Sequence, residues 1–197
     1  MATARKPALR AVSPPAQVYQ LRIDLRHIKP AIWRRLLVPG SIKLSQLHPV
    51  LLWTMGWHGG HLHAFTIGDT EYGEPDPDYP RSPLVEREDR MTLARALGPY
   101  KTFTYLYDFG DCWEHQVKVE KILPADPALQ SPICLTGANA CPPEDVGGPP
   151  GYSEFLDAIS DPAHEEHEQM IEWCGGRFDS TALNIERINA TLRQIKL

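Results

Sequence analysis

Residues 18–26, VYQLRIDLR, alternate without a fault: Tyr19, Leu21, Ile23 and Leu25 fall on one side of an extended chain, and Gln20, Arg22, Asp24 and Arg26 on the other. A period of two with one apolar side is a strand with one face buried. Pro30 sets a turn in HIKPA, IWRRLLV (32–38) returns as a second strand, and Pro39-Gly40 ends it. The pattern recurs in TFTYLYDF (102–109) and EHQVKVEKIL (114–123), with Gly110-Asp111 near the turn. Two such hairpins commit much of the chain to a sheet with one wet side, and the rest of the chain must cover the other.

Leu44, Leu47, His48, Leu51, Leu52 and Met55 supply that cover, at the spacing of an amphipathic helix with an inward stripe. Ser45 is the expected cap, and Pro49 fits only in a first turn. HLHAFTI (61–67) reads as a third strand with His61, His63, Phe65 and Ile67 on one face. The Pro- and Asp-rich stretch 69–90 reads as a lid or mobile loop, and 91–97 as a short helix. Beyond 124 a proline-rich loop leads to helices over 151–159, 163–174 and 185–195, the last capped by Asn184. The order is that of an α+β fold, an antiparallel or mixed sheet packed on helices. Its leading β-β-α-β is compatible with a ubiquitin-like grasp. Residues 1–17 read as a flexible tail and 18–197 as one domain, sheet-rich over 18–123 and loop with helices over 124–197.

No apolar run approaches the roughly 18 residues of a membrane span. The first 17 residues lack the apolar stretch of a signal peptide, so a cytoplasmic protein without a membrane partner is expected. Its four cysteines then read as thiols or metal ligands rather than disulfides. The net charge of −5 hides an asymmetry: residues 1–43 carry +8 and the remainder −13. Arg22, Arg26, Arg34 and Arg35 on the first hairpin could dock nucleic acid or an acidic protein. The plainer reading is that they neutralise the acidic remainder of the same chain.

Chemistry concentrates in YLYDFGDCWEHQ (105–116), which places Asp108, Asp111, Cys112, Glu114 and His115 within eight positions. Carboxylates suit hard cations, and His and Cys suit zinc or iron. Carboxylates this close need a cation, a basic neighbour or water; the plain alternative is a solvated hairpin tip. His61 and His63 on one strand face would stand about 6.5 Å apart at Cα, workable as a chelate or a base pair, or as packing histidines. Cys134 and Cys141 are too far apart for a zinc knuckle. Glu144 and Asp145 follow, and Gly147-Gly148 permits close backbone approach to something. His164 and His167 stand three apart rather than the four of a zinc-protease helix. Nucleotide-binding glycine loops and the serine-hydrolase elbow are absent from the sequence.

VYQLRIDLRHIKPAIWRRLLVPG, LSQLHPVLLWTMGW, HLHAF, YDFGDCWEH and CPPEDVGGPPGY, in that order, resemble the plasmid pRiA ORF-three-like family of bacterial and archaeal proteins, over about residues 18–195. The resemblance implies a protein of plasmids and mobile elements, where some relatives are labelled transposon resolvases or passenger proteins. Its motifs fall on Trp33, Arg34, Arg35, His48, His61, His63, Tyr107, Asp108, Asp111, Trp113, Glu114, His115, Glu144, Asp145, Gly147, Gly148 and Tyr152, among others. Cys112 stands where relatives often carry a second acid. A resolvase needs a nucleophilic Ser or Tyr beside an arginine cluster and a basic tail. This chain ends in acidic helices, and Ser13 lies in a proline-rich stretch.

Two function classes remain. In the first, His61, His63, His115, Asp111, Glu144 and Asp145 hold a divalent metal (zinc, manganese or iron), with Asp108, Asp111, Glu114 and His115 as candidate catalytic groups for hydrolysis of phosphate esters or nucleic acid. In the second, the chain is a non-enzymatic accessory module that binds through the basic hairpin.

Overall fold

The alternating segments form one sheet and the helices pack on it. The structure is a computed structural model that describes residues 17–74 and 85–195. The expected tail, apart from Gln17, and the middle of the expected 69–90 loop lie outside the described residues. In chain order come β1 (Val18–Leu25), β2 (Trp33–Pro39), α1 (Leu44–Met55), β3 (His63–Ile67), β4 (Thr70–Gly73), β5 (Val85–Arg87) and α2 (Leu93–Leu97). There follow β6 (Thr102–Tyr107), β7 (Trp113–Leu123), β8 (Ile133–Ala138), α3 (Gly148–Ser160), α4 (His167–Trp173) and α5 (Ile185–Leu192). The strand order is β5-β4-β3-β6-β7-β1-β2-β8, so the second hairpin sits between β1 and β3. Neighbours are antiparallel except β4 and β5, which makes this a mixed, open sheet in an α+β fold. None of the described helices is long and apolar enough to cross a membrane.

Several local expectations change. Part of the expected 69–90 loop is β4, β5 and a 3-10 turn at Glu88–Arg90. β8 lies where only loop was expected, hydrogen-bonded to the edge of β2. Ser45 does not cap α1: Lys43 takes that position, and the Gln46 side chain accepts from the Lys43 backbone N–H at 3.2 Å. Pro49 therefore falls past the first turn, where its ring leaves one helical hydrogen bond unmade. β3 starts at His63, not His61.

The inward row of each hairpin is fully buried: Leu21 and Ile23, Leu36 and Val38, Tyr105 and Tyr107, Val117 and Val119. Leu44, Leu47, Leu51, Leu52 and Met55 of α1 join them in one core. Each buried aliphatic or aromatic side chain contributes about 1.5–3 kcal/mol of transfer free energy, so this layer holds the sheet and α1 together. The outer face is polar and self-neutralised. Arg22 meets Asp24 at 2.6 Å, Arg35 meets Glu120 at 2.6 Å, and both guanidiniums lie over the Trp33 ring, 4.2 and 5.3 Å from its centre. The Arg35 hydrogen bond pulls the Glu120 carboxyl down to about 2.

The last helix closes the β8 edge. The Asn189 amide brackets Cys134, accepting from its N–H at 2.7 Å and donating to its carbonyl at 2.9 Å. As expected from the sequence, Asn184 caps α5, its side chain accepting from Arg187 N–H at 2.8 Å. Asn184→Ala is expected to cost about 1 kcal/mol, measured by urea unfolding, whereas Asn184→Asp should be nearly neutral.

Candidate functional site

Asp108 directly follows β6 and lies in the left-handed region, φ 55°, a conformation that Asp tolerates better than most residues. Its Oδ1 accepts from the Gly110 and Asp111 N–H groups at 2.8 and 3.3 Å, which folds the 108–112 turn. That leaves Oδ2 to face His61, 3.5 Å from Nδ1. On the other side of the ring, His61 Nε2 is 3.1 Å from Asp145 Oδ1, and Asp145 is also left-handed at φ 58°. One ligand atom from each of His61, Asp108 and Asp145 falls within 4.8 Å of the other two. Asp108 is buried and Asp145 exposed, so the group is half open to solvent.

Two segments about 35 residues apart are clamped to make this group. The Asp111 carboxylate accepts from Gly147 N–H at 3.1 Å. Gly148, at φ 69°, lies so close that a side chain there would run into the Asp111 carbonyl. The close approach that Gly147-Gly148 permits is thus to the Asp111 turn. Glu144 is fixed as well: it accepts from His58 N–H at 3.0 Å and from the Tyr107 hydroxyl at 3.2 Å. Burial, and then the Glu144 charge, push the Tyr107 phenol upward, so it remains a donor.

A second histidine cluster lies deeper. His48 and His63 stack with ring centres 3.5 Å apart and planes within 7°. His63 Nε2 is 2.8 Å from Glu88, and His48 Nδ1 is 2.8 Å from the Tyr105 hydroxyl. Burial, helped by His63, pushes His48 down to about 3, which keeps it neutral at pH 7.

The structure therefore sorts the residues that the sequence grouped. His61 and His63 do not share a site, because His61 precedes β3 in a loop and faces Asp145 while His63 faces Glu88. His115 is fully buried, its Nδ1 3.2 Å from the Tyr105 carbonyl and its ring edge-on to Trp57, and burial pushes it down to about 4. It belongs to the core instead of the hairpin tip. Glu114 faces the wet side of the sheet and pairs with Arg26 at 2.8 Å. Asp111 and Glu144 stand beside the group as braces through the bonds described above. Arg34 is not on the outer face: it is 1% exposed, under α1. Its place beside Ile32, Leu36 and Val38 in the alternation was the available signal. Glu88 and Tyr105 were missed as members of the deeper cluster; Glu88 carries no motif, and Tyr105 reads as one of four aromatic residues on a strand face.

The family profile described as "Plasmid pRiA4b ORF-3-like protein" matches residues 17–187. The chain is 44% identical over 175 residues to "Uncharacterized protein y4hQ" of Sinorhizobium fredii, covering 88% of this chain and 90% of that one. A crystal structure of a protein of unknown function, MM3350 from Methanosarcina mazei Go1, superposes with a TM-score of 0.80 at 35% identity, over 88% of this chain and 98% of that one.

Proposed function

The chain belongs to the plasmid pRiA4b ORF-3-like family, and from that premise we propose that it is a metal-dependent hydrolase acting on phosphate esters or nucleic acid, with a divalent cation at His61, Asp108 and Asp145. The carrying observation is the convergence of three ligand atoms within 4.8 Å from three separate segments. One imidazole and two carboxylates suit zinc, manganese or iron, and three protein ligands leave positions open to a substrate. Both acids are held in left-handed backbone, a strained arrangement of the kind that gathers at functional sites. A divalent cation there supplies Lewis acidity toward a phosphoryl oxygen. Asp111 and Glu144 keep the two ligand-bearing segments in register, and the Tyr107 hydroxyl orients Glu144. The same reading keeps the protein in the cytoplasm, in line with its four free thiols.

Docking of nucleic acid or an acidic protein on Arg22, Arg26, Arg34 and Arg35 finds less support. Arg34 is buried, and the other three are paired to Asp24, Glu114 and Glu120. Replacing Arg22, Arg26 and Arg35 together by Gln is therefore expected to leave any DNA or RNA binding, and its dependence on salt, unchanged.

Metal-free protein titrated with zinc, manganese or iron(II) is expected to bind one ion per chain. At about 100 times Kd the ion should add about 2.7 kcal/mol, read as a rise in Tm. His61→Ala and Asp108→Asn should abolish the rise. An absent rise with all three metals, or an equal rise in both variants, overturns the metal site. Metal binding without cleavage of bis(p-nitrophenyl) phosphate or single-stranded DNA overturns the hydrolase.

A further inference from the structure

One cleft in the described part of the molecule is lined by none of the three proposed metal ligands. It measures about 1030 Å³ and lies between the C-terminal end of α1, the 140–144 loop and α5. Its volume is that of a small-molecule site. Trp53, Trp57 and Phe178 give it aromatic walls, and Arg34 and Arg187 line it as well.

Arg34 is the unusual part. A guanidinium carries five N–H donors and stays charged. Here Nε donates to the Thr54 carbonyl at 3.0 Å, and Nη1 to the Trp33 and Ala138 carbonyls at 2.9 and 2.8 Å. The Thr54 carbonyl is in the last turn of α1, so the negative end of the helix dipole steadies the charge. Nη2 has no acceptor among the described residues, and no described carboxylate forms an ion pair with Arg34. A buried cation without a counter-charge is costly, and evolution usually removes it or pairs it. Arg187, on the exposed side of the cleft, adds a second positive charge. Glu144, the acid on the lining, is already engaged by His58 N–H and the Tyr107 hydroxyl.

We infer that this cleft binds a small organic oxyanion with a planar ring, its carboxylate or phosphate seated on Arg34 Nη2 and its ring between the aromatic walls. The anion would supply the missing counter-charge and would accept the two donors left over. The inference rests on Arg34 and the cleft alone and does not need a metal at His61.

Phenyl phosphate, phenylacetate and the neutral phenylacetamide, titrated calorimetrically into the full chain, test it. At least one anion should bind saturably, and the amide at least about ten-fold more weakly, a difference of about 1.4 kcal/mol. Which anion binds tells a phosphate ester from a carboxylate. Ala182→Trp, which fills the mouth from an exposed position, should abolish binding and leave the circular dichroism unchanged. Arg34→Met should erase the preference for anions; should that variant fail to fold, Arg187→Gln should weaken anion binding several-fold and leave the amide unaffected. No saturable binding of either anion up to about 10 mM, equal binding of the amide, or unchanged binding in Ala182→Trp overturns the inference.

Discussion

Gly148→Ala is expected to destabilise the protein by about 3 kcal/mol and to remove its response to metal together with that stability. Two physical effects add. A left-handed φ of 69° costs an alanine about 1–2 kcal/mol, and the new Cβ meets the Asp111 carbonyl, which cannot move without unfolding the 108–112 turn. The 144–148 loop must therefore back away, taking Asp145 from His61 and Asp108. Gly175→Ala is the control: its φ of 80° carries the same strain, but its Cβ would meet nothing within 4 Å. It should cost only about 1–2 kcal/mol and keep the metal-induced rise in Tm. Equal losses in the two variants, or a full metal response in Gly148→Ala, would show that the Asp111–Gly148 contact does not build the site.

The second large effect is acid sensitivity. Burial lowers His48 to about 3 and His115 to about 4, each from 6.5. Both rings are neutral in the fold and protonated in the unfolded chain between about pH 6 and pH 4, so in that window the unfolded state binds two more protons. Stability is then intact above pH 6.5 and falls as pH drops toward the folded values, by about 2.7 kcal/mol per pH unit where both contribute. Over two units that loss is comparable to the whole stability of an ordinary domain. Unfolding near pH 4 is the expected result. Glu120, held at about 2 by Arg35, acts in the same direction but only below 4.5. His115→Phe should lower the slope to about 1.4 kcal/mol per unit, since it removes one titrating ring and the buried Nε2 that has no partner. A flat stability profile from pH 6 to 4, or a native His115 resonance titrating near 6.5, would sink this account.

These two results bear on different parts of the molecule. Gly148 reports how two distant loops are held together, and the histidines report what lies under α1. His115 shows why a motif can mislead. YLYDFGDCWEHQ reads in sequence as one candidate site, with a solvated hairpin tip as the plain alternative, yet its residues diverge: Asp108 turns into the site, Glu114 outward to Arg26, and His115 into the core. Consecutive residues on a strand point to opposite faces, so a short polar run on a strand is divided between solvent and core.

The hairpins, α1 and α5 were legible because their signals are local. A period of two or of 3.6 depends only on residues a turn apart, and burial of one face follows from it. Asn184 was legible as a cap for the same reason. β8 was not: an edge strand with one neighbour needs little apolar alternation, and ICLTGA shows little. The meeting of His61 with Asp108 and Asp145, and the separation of His61 from His63, depended on where β3 begins and on the contact of Gly148 with Asp111. The alternation also placed Arg34 in the row of Leu36 and Val38 without saying what would lie above it; α1 decided that, with the Thr54 carbonyl waiting for its Nε. Local order is written in neighbouring residues, whereas a site made by residues 37 to 84 positions apart is set by which faces the whole chain must bury.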